Sequence, residues 1–162
     1  IKNEIPILEF DTEQTAVINP THERIDLKLP KKCVFAFLGG YIDEYANKTE
    51  TRKVSEFVSV TKLYPIYITK YKGEEIVLCQ APVGAAPAAQ ILDWLIGYGV
   101  REIISAGSCG ALEKFPESIF LVRMILYTAD SLADVDKYDE RNWGGNAYEY
   151  ALTLCLDAVL KL

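Results

Sequence analysis

Residues 73–112 read GEEIVLCQAPVGAAPAAQILDWLIGYGVREIISAGSCGAL. Ile76 to Gln80 is a short β-rich run, and Ala81 to Gly84 is a turn of small residues. Pro87 suits the first turn of a helix, where its missing N–H costs nothing. Ala88, Ile91, Leu92, Leu95 and Ile96 then fall on one face at helical spacing. Gly97 and Gly99 supply the stop. Val100-Arg101-Glu102 leads into a second apolar run, Ile103 to Ala106, which enters the turn Gly107-Ser108-Cys109-Gly110. Strand, helix, strand in that order predicts a parallel pair in an α/β domain.

The flanks extend this reading. Tyr64 to Tyr71 is β-rich, and Lys72-Gly73-Glu74-Glu75 follows as a turn, so the run before Ile76 predicts a hairpin. Cys33 to Leu38 is continuously apolar and stops at Gly39-Gly40, which predicts a buried strand. The polar stretch YIDEYANKTETRKVSEF, residues 41–57, predicts a short helix and then a surface loop. From Ile5 to Pro30 the chain reads as extended and irregular, interrupted by Pro6, Pro20 and Pro30. The C-terminal stretch is a clear amphipathic helix. Tyr148, Ala151, Leu152, Cys155, Ala158, Val159 and Leu162 share a face opposite Glu149, Thr153 and Asp157, with Asn146 as the expected N-cap. Ile119 to Thr128 is an apolar run broken only by Arg123. It is long for a strand, typically about five or six residues. It is either one long strand or two halves abutting where something between them is absent.

Composition narrows the class. A chain of 162 residues suits a single domain, 1–162. A net charge of −6 argues against nucleic acid or an anionic membrane as the main partner. A small anion held by a few local donors is still allowed. No apolar stretch approaches the roughly 20 residues of a membrane span. The N-terminal residues are acidic and lack a signal-peptide layout. Cys33, Cys79, Cys109 and Cys155 form no C-x-x-C pair, which suits reduced thiols in a cytoplasmic protein and gives no metal site.

The Gly107–Gly110 turn is not a nucleophile elbow, because G-x-S-x-G spacing is missing. A catalytic cysteine would want a histidine, and the one histidine, His22, sits in a separate loop-like region. Two readings stand for the turn. It is a tight turn needing positive φ, or a cradle whose backbone N–H groups and serine hydroxyl meet an anion at a strand's carboxyl end. Gly39-Gly40 ends another strand and is expected beside it in the sheet, and Gly84 is a third such turn. None is a GxGxxG or Walker loop. Asp130 follows a β run. It either holds or protonates a heterocycle or serves as a turn or N-cap residue. Asp134, Asp136 and Asp139 lack the glycine and closing glutamate of an EF-hand. Arg141 either pairs at the surface or reaches over Asp130.

Taken together, GEEIVLCQAPVGAAPAAQILDWLIGYGVREIISAGSCGALEKF resembles the core of the nucleoside phosphorylase superfamily, which includes purine nucleoside and uridine phosphorylases. FAFLGGYIDEY is similar to that family's first phosphate loop, and LYTADSLADVDKYDERNW to its C-terminal segment. The resemblance implies a three-layer α/β/α sandwich on a mixed β-sheet, usually in a homo-oligomer. It implies reversible phosphorolysis of a nucleoside's N-glycosidic bond, with inorganic phosphate as co-substrate and no metal or organic cofactor. By this resemblance Gly39, Gly40 and Ser108 line the phosphate. Cys109 and Gly110 continue beside the ribose. Asp130 stabilises or protonates a purine base, assisted by Arg141.

Three departures qualify the carry-over. Asp43 stands where many members end the first loop in a phosphate-binding arginine, and Ser105 stands where a second arginine begins the strand-end motif. Two charge-assisted contacts to a phosphate dianion are thereby lost. The family's middle portion, with its ribose-binding glutamate, has no counterpart between ALEKFPES and IFLVRMILYTAD, which points to a missing or deleted segment near 117–124. Little or no phosphorolytic activity is therefore expected of the 162-residue form. The alternatives are a hydrolytic nucleosidase, or an inactive homologue or fragment that binds a nucleoside or anion.

Overall fold

A computed structural model describes residues 18–107 and 147–162. In chain order the elements are β1 (Lys32–Ala36), α1 (Tyr41–Lys48), β2 (Thr51–Val58), β3 (Leu63–Tyr71), β4 (Glu74–Gln80), α2 (Ala85–Gly97), β5 (Glu102–Ala106) and α3 (Ala147–Val159). The strands form one sheet in the order β2-β3-β4-β1-β5. β1 pairs parallel with β4 on one side and with β5 on the other, while β2-β3-β4 is an antiparallel meander.

Alternation along β1 and β4 explains why both runs are continuously apolar. Cys33, Phe35, Val77 and Cys79 point to one face, where Ile91, Trp94 and Leu95 of α2 cover them. Val34, Ala36, Ile76 and Leu78 point to the other, under Ile42 of α1 and Leu152 and Leu156 of α3. A strand with helices on both faces has no solvated side, so its period-2 pattern disappears from the sequence. The resulting helix–sheet–helix arrangement is the three-layer α/β/α architecture on a mixed sheet.

Local chemistry sets the connections. The β3–β4 turn takes two residues, Lys72 at φ 49° and Gly73 at φ 91°, a pair of positive φ values that matches the twist of a tight hairpin. β4 therefore starts at Glu74, two residues before the apolar run begins. Lys72 Nζ and Tyr71 Oη both donate to Asp157 Oδ1, at 2.6 and 3.0 Å, which ties this turn to α3. Lys32 Nζ donates to the carbonyl of Val159 at 3.0 Å and pairs with Glu102 at 2.9 Å, joining β1, β5 and the last turn of α3.

α2 ends in a Schellman motif: Val100 N–H donates to Leu95 O at 3.1 Å and Gly99 N–H to Ile96 O at 3.2 Å. Val100 and Leu95 are both buried, which is the hydrophobic contact that accompanies such a cap. Gly99 has φ 127°, and a Cβ there would stand 2.7 Å from the carbonyl oxygen of Leu29. The irregular strand-approach segment thus packs directly on the helix stop.

Three expectations need correction. Thr51–Val58 is an edge strand, not a surface loop. Its two core-facing residues, Val54 and Phe57, are three apart and so violate period 2; a register shift between Lys53 and Ser55 reconciles them. Ile96 is exposed, and Trp94 takes its place in the buried stripe Ile91, Trp94, Leu95, Tyr98. The indole ring sits 6.0 Å from Phe57 and 4.6 Å from Tyr98, and its N–H reaches Glu23 at 3.3 Å. On α3, Leu156 is buried, whereas Tyr148 and Leu162 are exposed. Leu162 lies past the helix end, and Tyr148 stays at the helix margin, stacked 6.2 Å from Tyr41. Asn146 and the 117–124 join lie outside the described residues.

Gly99→Ala is expected to cost about 2–3 kcal/mol, because it adds a backbone clash to a positive φ. Gly73→Ala, with positive φ in open space, is expected to cost about 1 kcal/mol. Urea unfolding midpoints of the two variants check this order.

Candidate functional site

β4, β1 and β5 are adjacent and parallel, so their carboxyl ends and the turns that follow lie along one edge of the sheet. The ladder continues into these turns. Ala81 N–H donates to Ala36 O at 2.9 Å, and Phe37 N–H donates to Ala106 O at 2.7 Å. The turns Phe37–Gly40 and Ala81–Gly84 are thereby gathered with Gly107. Phe37, which leads into Gly39-Gly40, stands beside Gly107, while the rest of the Gly107–Gly110 turn lies outside the described residues.

Gly39, Gly40 and Gly107 differ in what requires them. Gly39 at φ 57° takes a left-handed conformation, and no atom lies within 4 Å of where its Cβ would be. Gly40 has an ordinary φ of −72° and the same open space, so neither backbone nor packing demands a glycine there. At Gly107 a Cβ would lie 3.1 Å from Phe37 Cβ, so its small size lets β5 leave the sheet close against β1. Phe37, Val83, Ser105, Ala106 and Gly107 line a cleft at this edge. Backbone N–H groups at the carboxyl end of a parallel sheet, with no side chains in front of them, are suited to meet an anion. Ser108, Cys109, Gly110, Asp130 and Arg141 lie outside the described residues.

The two departures noted in the sequence have physical addresses. Ser105, on β5, is exposed and lines the cleft. Asp43 sits in the first turn of α1, three residues after Gly40, and its Oδ1 accepts a hydrogen bond of 2.8 Å from Tyr67 Oη on β3. Burial first, and then this bond, pushes the Tyr67 phenol up to about 12. The position is thus occupied by an inward-turned carboxylate. Neither Tyr67 nor the cleft residues Phe37 and Val83 stood out in the sequence. Tyr67 reads there as one aromatic among several in a β run.

The described cysteines are poor nucleophiles. Cys33, Cys79 and Cys155 are buried free thiols. Burial raises all three, Cys79 to about 12 with the Asp43 carboxylate adding to the effect. His22 is exposed, its Nδ1 2.9 Å from the carbonyl of Asn19. Among the described residues, no three His, Cys, Asp or Glu side chains are grouped to hold a metal ion. No helix among them is long and apolar enough to cross a membrane.

Between pH 10 and 12 the unfolded chain gives up the Tyr67 proton while the folded chain keeps it. Fewer protons bound in the unfolded state means stability falls as pH rises through this window. Tyr67→Phe is expected to make that decline shallower, as measured by urea unfolding at pH 9, 10 and 11.

Comparison with known proteins gives three findings. A family model described as Phosphorylase superfamily matches residues 31–123, more than half of the chain. The guanosine phosphorylase of Halorubrum lacusprofundi is 30% identical over 74 residues, which cover 46% of this chain and 30% of that protein. The crystal structure of purine nucleoside phosphorylase from Toxoplasma gondii in complex with immucillin-H aligns over 57% of this chain and 35% of its own, with TM-score 0.46 and 19% identity. The chain thus covers well under half the length of both relatives.

Proposed function

The chain belongs to the phosphorylase superfamily, and from that premise we propose that it handles a purine nucleoside and phosphate at the carboxyl edge of β4, β1 and β5. The reaction proposed is reversible phosphorolysis: a phosphate oxygen attacks the anomeric carbon, the C–N bond breaks, and its electron pair leaves with the base. The observation that carries this reading is the alignment of the carboxyl ends of β4, β1 and β5, with the open faces of Gly39 and Gly40 on the edge that Gly107 also reaches. Such a turn brings N–H donors to an anion and leaves room for it. In this reading Gly39, Gly40 and Ser108 approach phosphate, and Cys109 and Gly110 lie beside the sugar. Asp130, with Arg141, meets the base, where a carboxyl group offsets charge developing on a leaving purine. A purine fits better than a pyrimidine because of Asp130. The guanosine phosphorylase relative agrees with that choice.

Hydrolysis is the second reading, and one observation favours it. The two positions where arginines were expected carry no positive charge: Asp43 is bonded to Tyr67, and Ser105 is a neutral residue on the cleft. A weakly held phosphate leaves water as the competing nucleophile.

The test combines thermal unfolding with guanosine turnover, each with and without phosphate. A ligand that binds only the folded state raises its melting temperature. Guanosine with phosphate is expected to raise it, and base release, slow in this 162-residue form, is expected to require phosphate. Equal release without phosphate would select hydrolysis, and neither release nor stabilisation would reject both readings. Gly40→Asp sharpens the test. Its backbone is helical and its space is open, so a side chain fits without strain and stability is expected to hold within about 0.5 kcal/mol. The added carboxylate repels phosphate, so stabilisation by phosphate is expected to vanish.

A further inference from the structure

The turn proposed to meet phosphate is anchored at its start by buried Leu38, whose carbonyl accepts from Tyr41 N–H at 3.2 Å, but its two glycines add no packing of their own. Gly39 and Gly40 have no packing atoms within 4 Å of their Cβ positions. Gly40 caps α1 without a side-chain hydrogen bond. α1 is eight residues long, well short of the roughly 12–15 at which a helix becomes even marginally stable alone. Its position is therefore set by what it touches. Ile42 and Ala46 are buried, and Tyr41 stacks on Tyr148. These contacts anchor the helix but are not directional, and the hydrogen bonds of Thr49 to Tyr45 and Thr51 act at its far end.

Tyr67 supplies a directional contact. It stands opposite Leu78 of β4 in the β3–β4 ladder and reaches Asp43, 24 residues away in sequence. A bond to a carboxylate is shorter and roughly twice as strong as one between neutral groups. Asp43 follows Gly40 by three residues, and Glu44 N–H donates to Gly40 O at 3.1 Å in the same turn of helix. A displacement of Asp43 is thus transmitted to Gly40 through that single turn.

We propose that the Tyr67–Asp43 hydrogen bond is a latch that fixes the Gly39–Gly40 turn against the sheet, making Tyr67 a positioning residue of the site. The carboxylate that replaces the expected arginine then serves the loop as its tether and is not itself a ligand contact. The importance of this for ligand binding rests on the functional reading above; the latch itself does not.

Hydrogen–deuterium exchange of the amides of residues 37–43, read by mass spectrometry, tests both parts. In Tyr67→Phe and Asp43→Ala these amides are expected to exchange about tenfold faster, a factor equivalent to about 1.4 kcal/mol of lost local protection. The amides of α3 should hold their rate. Asp43→Asn keeps an oxygen acceptor for the phenol and is expected to restore most of the protection, a rescue that mere loss of packing would not show. Unchanged exchange in residues 37–43, or equal acceleration in α3, would overturn the latch. Guanosine with phosphate is then added to the wild-type chain. Slower exchange in residues 37–43 supports the functional reading, and its weakening in Tyr67→Phe ties the latch to binding. No slowing in the wild-type chain rejects the functional reading, while the variant rates still decide the latch.

Discussion

β1 has neither a free edge nor a free face. Its five residues, Lys32–Ala36, hydrogen-bond to β4 on one side and β5 on the other, and its side chains are enclosed by α2 below and by α1 and α3 above. Everything proposed for the site follows from that enclosure. The strand's carboxyl end emerges between two parallel neighbours, so the turns after all three strands share one edge. Changing the register of β1 by one residue would swap Cys33 and Phe35 with Val34 and Ala36, exchanging the two cores. The strand end from which the Gly39–Gly40 turn departs is therefore as firm as the core itself, while the turn beyond it depends on its own contacts.

The electrostatics of the edge differ from what a phosphate site ordinarily presents. Lys32, Lys72 and Arg101 engage partners at the opposite end of the parallel strands or in the β3–β4 turn: the end of α3, Asp157, and the carbonyls of Ile96 and Val100. At the carboxyl edge, the position expected for arginine holds a carboxylate that faces the sheet. Lys62, beside the carboxyl end of β4, is engaged by Gln80 at 2.6 Å, so in the proposed reading recognition of an anion there draws on backbone N–H groups. These are fixed dipoles that need no net charge, but they must be accurately placed to be effective. Placement of a short helix and a two-glycine turn then matters more than it would with an arginine, whose long side chain can adjust its reach.

How much was legible depended on whether a residue's environment was local. The buried strands β1 and β4 read clearly because both faces are covered and the runs are unbroken, and β5 reads from Ile103 and Ile104, which pack on opposite cores. α2 and α3 read clearly from their 3.6-residue spacing, and Gly99 from its place after the last apolar turn. β2 was misread because a bulge puts Val54 and Phe57 out of alternation and an edge strand tolerates Arg52, Lys53 and Glu56. Trp94 was missed as a core residue because its partners, Phe57 and Glu23, are far away in sequence. The site was half legible. Glycines at strand ends were visible as such, and Asp43 was visible as an anomaly. Its partner was not, because nothing in a β run of tyrosines marks the one that crosses the sheet to meet a carboxylate.

The sheet order also bears on synthesis. Among the described residues β1 is the earliest strand in the chain and the one with the most demands, since its two neighbours, Glu74–Gln80 and Glu102–Ala106, come later. The β2-β3-β4 meander can close through short turns as it appears, while Lys32–Ala36 waits for a partner on each side. Until β5 is complete, an emerging chain carries an apolar strand with one open edge, the kind of surface that draws in chaperones or a neighbouring nascent chain. The strand that makes the finished protein rigid is the one that leaves the unfinished protein most exposed.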